Sequence, residues 1–344
     1  MLAIAFISLV SSTGCLACLP GHGDGTGQGV ADFMSQLVPA GNERLLRDRF
    51  RGVILGSAIG DALGGPLEFQ PPPSPDALVT DMIGGGWQQL EPGEWTDDTH
   101  MSLCVAESLL AKKVFDPDDI AARFVGWMQS QPKDIGIHTQ RILQQIADGG
   151  KWDSVSYADY IADPQNASNG SIMRCAPLSL FMCHHIEYLT DLSPVLSQIT
   201  HAHPECQWSC VFLNILIASL LVCGRVIDAV EMAYESIAGC PPTLAERIGT
   251  AMSSECRIEP SGYVLDTLEV ALWVFLHTED FESALVTAIN RGGDTDSVGA
   301  VTGALAGAWY GASRIPDRWI RDVQNPERLI VCADGLYELA AKAI

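Results

Sequence analysis

Glycine recurs every four residues in two widely separated segments, at Gly52, Gly56, Gly60 and Gly64 and again at Gly299, Gly303 and Gly307. The surrounding apolar periodicity is helical, so each set forms a stripe along one face of a helix. Glycine inside a helix costs about 1 kcal/mol relative to alanine, so two such stripes call for a packing reason. The close approach of another helix backbone supplies one. If the two striped helices meet each other or a common neighbour, Asp61 and Glu68 at the end of the first are expected near Asp294 and Asp296 at the start of the second.

Helical periodicity continues through almost all of residues 45–344, with no convincing alternating strand pairs. Helix, short turn, helix is the repeated pattern, and an all-α fold follows. At 344 residues and 47% hydrophobic content the chain has ample material for a substantial core. Residues 41–344 are expected to form one helical domain. The first 40 residues are expected to be a poorly ordered extension. Leu2 to Leu19 is apolar, but the first basic residue is Arg44, so a secretory signal would lack its charged leader. Cys210 to Cys223 is also apolar. At fourteen residues it is short for a membrane span and reads as a buried central helix.

Two short runs carry chemistry. Thr96 to Thr99 (TDDT) and Gly292 to Ser297 (GGDTDS) each put two carboxylates and a hydroxyl beside a helix start. Met101, Val105 and Leu109 follow the first run at helical spacing, and Val298, Val301, Leu305 and Ala308 follow the second. Either run alone could be an ordinary N-cap, because Asp, Ser and Thr satisfy free backbone N–H groups there. Together they supply the oxygen-only set that a hard divalent cation requires. Gly292 and Gly293 allow the turn that aims Asp294 and Asp296 at one point.

Charge excludes some partners. Twenty basic residues against forty-two acidic ones give a net charge of -22, which argues against nucleic acid or an anionic membrane surface. Eleven scattered cysteines form no disulfide framework, and a reducing cytoplasm is the expected compartment. His201, His203, Cys206 and Cys210 have a superficially zinc-like spacing. Pro204 is expected to open a helix that takes both cysteines into the core. The Asp163 to Ser171 loop ends in Asn169, Gly170 and Ser171 ahead of an apolar stretch, and is a candidate anion site or a plain helix cap. Residues 70–95, rich in proline and then glycine, form a long loop of the kind that often carries function.

The order of motifs resembles the ADP-ribosylglycohydrolase family: GDALG (60–64), Glu68, GGGW (84–87), PGEWTDDT (92–99), NGSIMR (169–174), ITHAHP (199–204) and NRGGDTDS (290–297). Within that family the chain is most similar to the bacterial dinitrogenase-reductase-activating glycohydrolase branch. The resemblance implies a single-domain orthogonal helical bundle with two Mg²⁺ or Mn²⁺ ions at the base of a cleft. It implies Thr96, Asp97, Asp98, Asp294, Asp296 and Ser297 as metal ligands, Ser297 standing where relatives often have threonine. Glu68 is implied at the metal centre facing substrate, with Glu68 or Asp97 moving protons. Asn169, Gly170, Ser171 and His201 are implied to line the ADP-ribose pocket. Asp134, in DIGIHT with Gly136, matches an acidic position at the acceptor end, although Ile137 stands where that branch would have a polar residue. The activity implied is release of ADP-ribose from a protein side chain, such as arginine or serine, or from a small molecule. A dimetal phosphohydrolase and a non-catalytic ADP-ribose binder are the competing readings.

Overall fold

The computed structural model describes residues 43–253, 256 and 260–342. The expected N-terminal extension and its apolar Leu2 to Leu19 stretch lie outside these residues. Helices α1 (Glu43–Gly64), α2 (Asp97–Lys112), α3 (Pro117–Gln129), α4 (Ile137–Ala147) and α5 (Trp152–Ala162) form the first part of the chain. They are followed by α6 (Ala176–Phe181), α7 (Leu189–Gln198), α8 (Pro204–Val222), α9 (Val226–Ser236) and α10 (Pro242–Ala251). The last are α11 (Val264–His277), α12 (Phe281–Ile289), α13 (Thr295–Tyr310), α14 (Asp317–Asp322) and α15 (Pro326–Ala340). The fold is the all-α bundle that the periodicity implied. Among the described residues, extended backbone pairs only as isolated bridges, Gln70 with Gly293, Gly85 with Leu90 and Ser168 with Tyr263.

The two glycine stripes meet each other. A β-carbon on Gly52 would lie 2.2 Å from the Gly307 carbonyl oxygen, and one on Gly60 would lie 1.9 Å from that of Gly299. The pairing runs in opposite directions along the two helices, so α1 and α13 are antiparallel and in direct backbone contact. No other residue type fits between them, which accounts for glycines that helix propensity alone disfavours. Both helices are buried along most of their length. Their pairing brings the C-terminal end of α1 to the N-terminal end of α13, where Thr295 Oγ1 donates to the Gly64 carbonyl at 2.9 Å.

Helix α8 runs through the middle of the remaining core. Pro204 opens it, and from Ser209 to Val222 every residue is buried. It is long and apolar enough to cross a membrane by length and composition, yet 83% of that apolar window is buried inside the protein. His203 caps its start, its Nδ1 accepting from the Glu205 N–H at 3.1 Å. Cys206 donates its thiol to the Ser168 carbonyl and Cys210 to the Ser171 hydroxyl. The zinc-like spacing is thus used for capping and packing, as the opening proline led one to expect.

Candidate active site

The site forms where α1 ends and α13 begins. Beyond Gly64 the chain makes a short 3-10 turn to Leu67, then Glu68 and Phe69. The Phe69 N–H donates to the Gly293 carbonyl at 2.7 Å, and the Gly293 N–H donates to the Gln70 carbonyl at 3.1 Å. Both Gly292 and Gly293 have positive φ, +76° and +73°, which side-chain-bearing residues rarely adopt. This bridge fixes Glu68 beside Asp294 and Asp296. One carboxylate oxygen from each of the three lies within 4.8 Å of the others, and all three residues are buried.

The TDDT run reaches the same place from α2. Thr96 is the N-cap of α2 and Asp294 that of α13, yet neither uses its side chain to cap its helix. The cap of α2 comes instead from Asp61 on α1. Asp61 Oδ1 accepts from the Thr96 N–H at 2.9 Å and from its hydroxyl at 2.9 Å, while Oδ2 accepts from the Thr99 N–H at 3.0 Å and its hydroxyl at 2.6 Å. Asp61 therefore satisfies the orphan donors of the helix start. Asp97 and Asp98, relieved of capping, are left to the cleft. The reading of these runs as plain caps does not fit that arrangement.

Asp97, Asp98, Glu68, Asp294, Asp296 and Ser297 line one cleft with Asp134, Gly136, Ser168, Asn169, Gly170 and His201. Its volume of about 400 Å³ is in the range of small-molecule sites. Among the described residues no Lys or Arg lines it, so none of them sets a cationic side chain in the cleft against the acids. The consequence is electrostatic. Burial, then Asp134, pushes the Glu68 carboxyl up to about 8, and the same two causes push Asp97 up to about 8. Asp98 and Asp296 rise well above the ordinary carboxylate range, first through burial and then through Asp61 and Asp294 respectively. Even Asp61, with four donors, is pushed by burial up to about 6. Asp98 Oδ1 is buried without a hydrogen-bond partner among the described residues. Hard oxygen donors, an orphaned carboxylate oxygen and uncompensated charge all fit a divalent cation.

The far wall is neutral. Asn169 Nδ2 donates to Asp294 Oδ2 at 3.1 Å and to Thr267 Oγ1 at 2.9 Å. Thr200 Oγ1 accepts from Arg174 at 2.6 Å and lies 2.6 Å from His201 Nδ1, so the network is satisfied with the threonine proton on Nδ1 and the ring hydrogen at Nε2. His201 Nε2 lies 3.0 Å from Ser168 Oγ. Burial, then His138, holds the imidazole well below its usual pKa, so His201 is a neutral donor. Gly170 is needed there, since a β-carbon on it would meet His201 Cε1 at 2.9 Å.

Two expectations place differently. Ser171 is fully buried behind the wall, its hydroxyl accepting from Cys210, and does not reach the cleft. The Asn169 to Ser171 segment is not the start of an α-helix but a 3-10 turn over Asn169–Arg174, and the Asn169 N–H already donates to the Gly262 carbonyl at 2.9 Å. Thr96 is buried at the site, with its hydroxyl turned to Asp61 and Asp98.

Asp134 enters from the loop before α4. Its Oδ2 accepts from Gln88 Nε2 at 3.1 Å, and the Gly136 N–H donates to Asp97 Oδ2 at 3.2 Å. Exposed Phe69, Trp87 and Ile137 rim the cleft, the first two stacked with ring centroids 6.4 Å apart. Gln88, Ser168, His138 and Thr200 also make contacts at the site, and none of them stands out as a functional residue in the sequence. His138 and Thr200 stand inside quoted motifs, whereas Gln88 carried no signal.

Residues 42–343 match the family model described as ADP-ribosylglycohydrolase. The chain is 36% identical over 305 residues to an ADP-ribosylarginine hydrolase, Tri1, of Serratia proteamaculans, covering 85% of this chain and 80% of that one. It is 35% identical over 308 residues to the ADP-ribosyl-[dinitrogen reductase] glycohydrolase of Rhodospirillum rubrum, covering 86% and 97%. Among solved structures, an ADP-ribosylglycohydrolase-related protein complex superposes with a TM-score of 0.76 at 36% identity, covering 86% of this chain and 99% of that one.

Proposed function

This chain belongs to the ADP-ribosylglycohydrolase family, and from that premise we propose that it is a divalent-metal-dependent hydrolase releasing ADP-ribose from the side chain to which its distal ribose is linked. The observation that carries this reading is the convergence of Glu68, Asp294 and Asp296 with Asp97 and Asp98 in one cleft that, among the described residues, no Lys or Arg lines. Arginine is the acceptor we favour. Two relatives at 35–36% identity are named for ADP-ribosylarginine or dinitrogen reductase, and a carboxylate such as Asp134 suits a guanidinium through paired charge-assisted hydrogen bonds.

A pair of Mg²⁺ or Mn²⁺ ions would be held by Asp97, Asp98, Asp294 and Asp296, with the hydroxyls of Thr96 and Ser297 beside them. When bound, such ions neutralise the acids, polarise ribose oxygens and lower the pKa of water. The protein's own groups do the rest. Glu68 and Asp97 both reach into the cleft and are the carboxylates placed to hold or move a proton there. The Asn169 amide and the neutral His201 ring orient the ADP-ribose end, and Gly136 fixes Asp97 through its N–H. Asp134 holds the leaving group.

The test is a panel of arginine-, serine- and O-acetyl-linked ADP-ribose, each with Mg²⁺, Mn²⁺ or chelator, with products identified. Free ADP-ribose from the arginine linkage, lost in chelator, is the expected result. Release of AMP or phosphate, or turnover indifferent to chelator, would overturn it.

A further inference from the structure

Glu68 and Asp134 lie on different segments, both lose water on folding, and repulsion from Asp134 is second only to burial in raising the Glu68 pKa. Between them sits one neutral side chain. Gln88 Nε2 donates to Glu68 Oε2 at 2.5 Å and to Asp134 Oδ2 at 3.1 Å, so each proton of the amide is spent on a different carboxylate. Glu68 Oε2 also accepts from Trp87 Nε1 at 2.6 Å, so two adjacent residues aim donors at one oxygen. The loop is built to deliver them. Gly85 and Leu90 pair across a tight turn through reciprocal N–H to carbonyl bonds of 2.7 and 2.8 Å. The turn presses against the end of α1, where a β-carbon on Gly86 would lie 3.0 Å from Pro66 Cα.

The arrangement is expensive for a residue that only fills space. Gln88 is 8% exposed, and its Oε1 is buried with no partner among the described residues. A leucine of the same bulk would carry no orphan acceptor. The amide's two donors are therefore what the position requires.

The geometry points to Gln88 as a positioning residue of the hydrolytic site, clamping Glu68 and Asp134 into one unit so that the metal-facing and acceptor-facing carboxylates keep a fixed relation. This rests on the hydrolase reading above. Gln88 reaches the reaction only through the two carboxylates it holds.

The experiment is a cycle of Gln88→Leu, Asp134→Asn and the double variant, on ADP-ribosylated arginine peptide and by calorimetric titration with Mn²⁺. Gln88→Leu is expected to lower kcat about 10- to 100-fold, the usual loss for a residue that orients a ligand, with KM within about threefold. Its melting temperature should stay within about 2 °C of wild type, a shift of no more than about 1 kcal/mol. In the Asp134→Asn background the repulsion between the two carboxylates that Gln88 holds together is already gone. Removing Gln88 there should cost no more than about threefold further, so the effects are non-additive. Mn²⁺ affinity should weaken in Gln88→Leu through the released Glu68. Multiplicative effects, or a lowered melting temperature with unchanged kcat and Mn²⁺ affinity, would overturn the assignment. If wild type releases no ADP-ribose, the hydrolase reading fails by itself, and the Mn²⁺ titration still separates Gln88→Leu from wild type.

Discussion

A β-carbon placed on Gly303 would lie 1.9 Å from the carbonyl oxygen of Gly56, and one placed on Gly56 would lie 2.3 Å from the carbonyl oxygen of Gly303. Both obstacles are backbone atoms, which cannot turn aside as a side chain can. The separation of α1 and α13 is thus set by the absence of side chains on both.

Gly303→Ala is expected to destabilise the protein by about 3 kcal/mol or more, at or above the upper end of overpacking costs, because a whole helix must move. Gly126, exposed in α3 with nothing within 4 Å of its would-be β-carbon, is the control. Its replacement by alanine should stabilise by up to about 1 kcal/mol. Urea unfolding of both variants checks the pair, and equal effects would contradict the interlock.

Asp61 ties α1 to the start of α2 by accepting from four donors, the N–H and hydroxyl groups of Thr96 and Thr99. Asp61→Ala would leave the N–H groups of Thr96 and Thr99 buried without that acceptor. A loss of about 3 kcal/mol is expected, together with weakened divalent-cation binding as Asp97 and Asp98 lose their support. Thermal unfolding with and without Mn²⁺ would reveal it. An unchanged melting point would mean that water or a shifted loop takes over the cap.

Glu68 and Asp97 have folded pKa values of about 8, above their unfolded ones. Folding therefore favours their protonated forms. The stability this contributes is complete below the ordinary carboxylate range near pH 4 and is lost as pH rises through about 8. In chelator the protein should be less stable at pH 9 than at pH 6. Adding Mg²⁺ or Mn²⁺ should restore stability at high pH and release protons near pH 7, readable by calorimetry in buffers of different ionisation enthalpy. A flat pH profile in chelator, with no proton release, would refute the electrostatic account.

Asp296→Asn should reduce turnover by more than about 100-fold, beyond what loss of an outer-shell partner costs. Its unfolding midpoint in chelator should equal or exceed that of wild type, since a buried carboxylate repelled by Asp294, Glu68 and Asp98 has been neutralised. Steady-state kinetics beside a chelator melt checks both halves. Unaltered turnover would remove Asp296 from the site.

Much of this was legible in the sequence because periodicity and glycine spacing report directly on backbone geometry. The stripes foretold the α1–α13 contact, and that contact with the Gly293 bridge brings Glu68 to Asp294 and Asp296. Thr96 and Asp294 fell at the helix starts expected of them. What stayed hidden depends on long-range side-chain direction. Asp61 was expected near the metal loops, but nothing in its neighbours says that it would cap another helix. Ser171 follows two wall residues, yet a 3-10 turn rotates it away from the cleft toward Cys210. Gln88 bridges residues 20 and 46 positions away, a relation no local pattern encodes.

The partners at the α1–α13 seam, Gly64 and Thr295, are 231 residues apart. On a ribosome adding roughly 5–20 residues per second, the glycine face of α1 waits on the order of ten seconds to a minute before its mate emerges. Throughout that interval the nascent chain shows apolar surface and has no assembled acid cluster. Hydrolytic competence must therefore appear late in synthesis, and a chain stalled before α13 would be a client for chaperones or proteases.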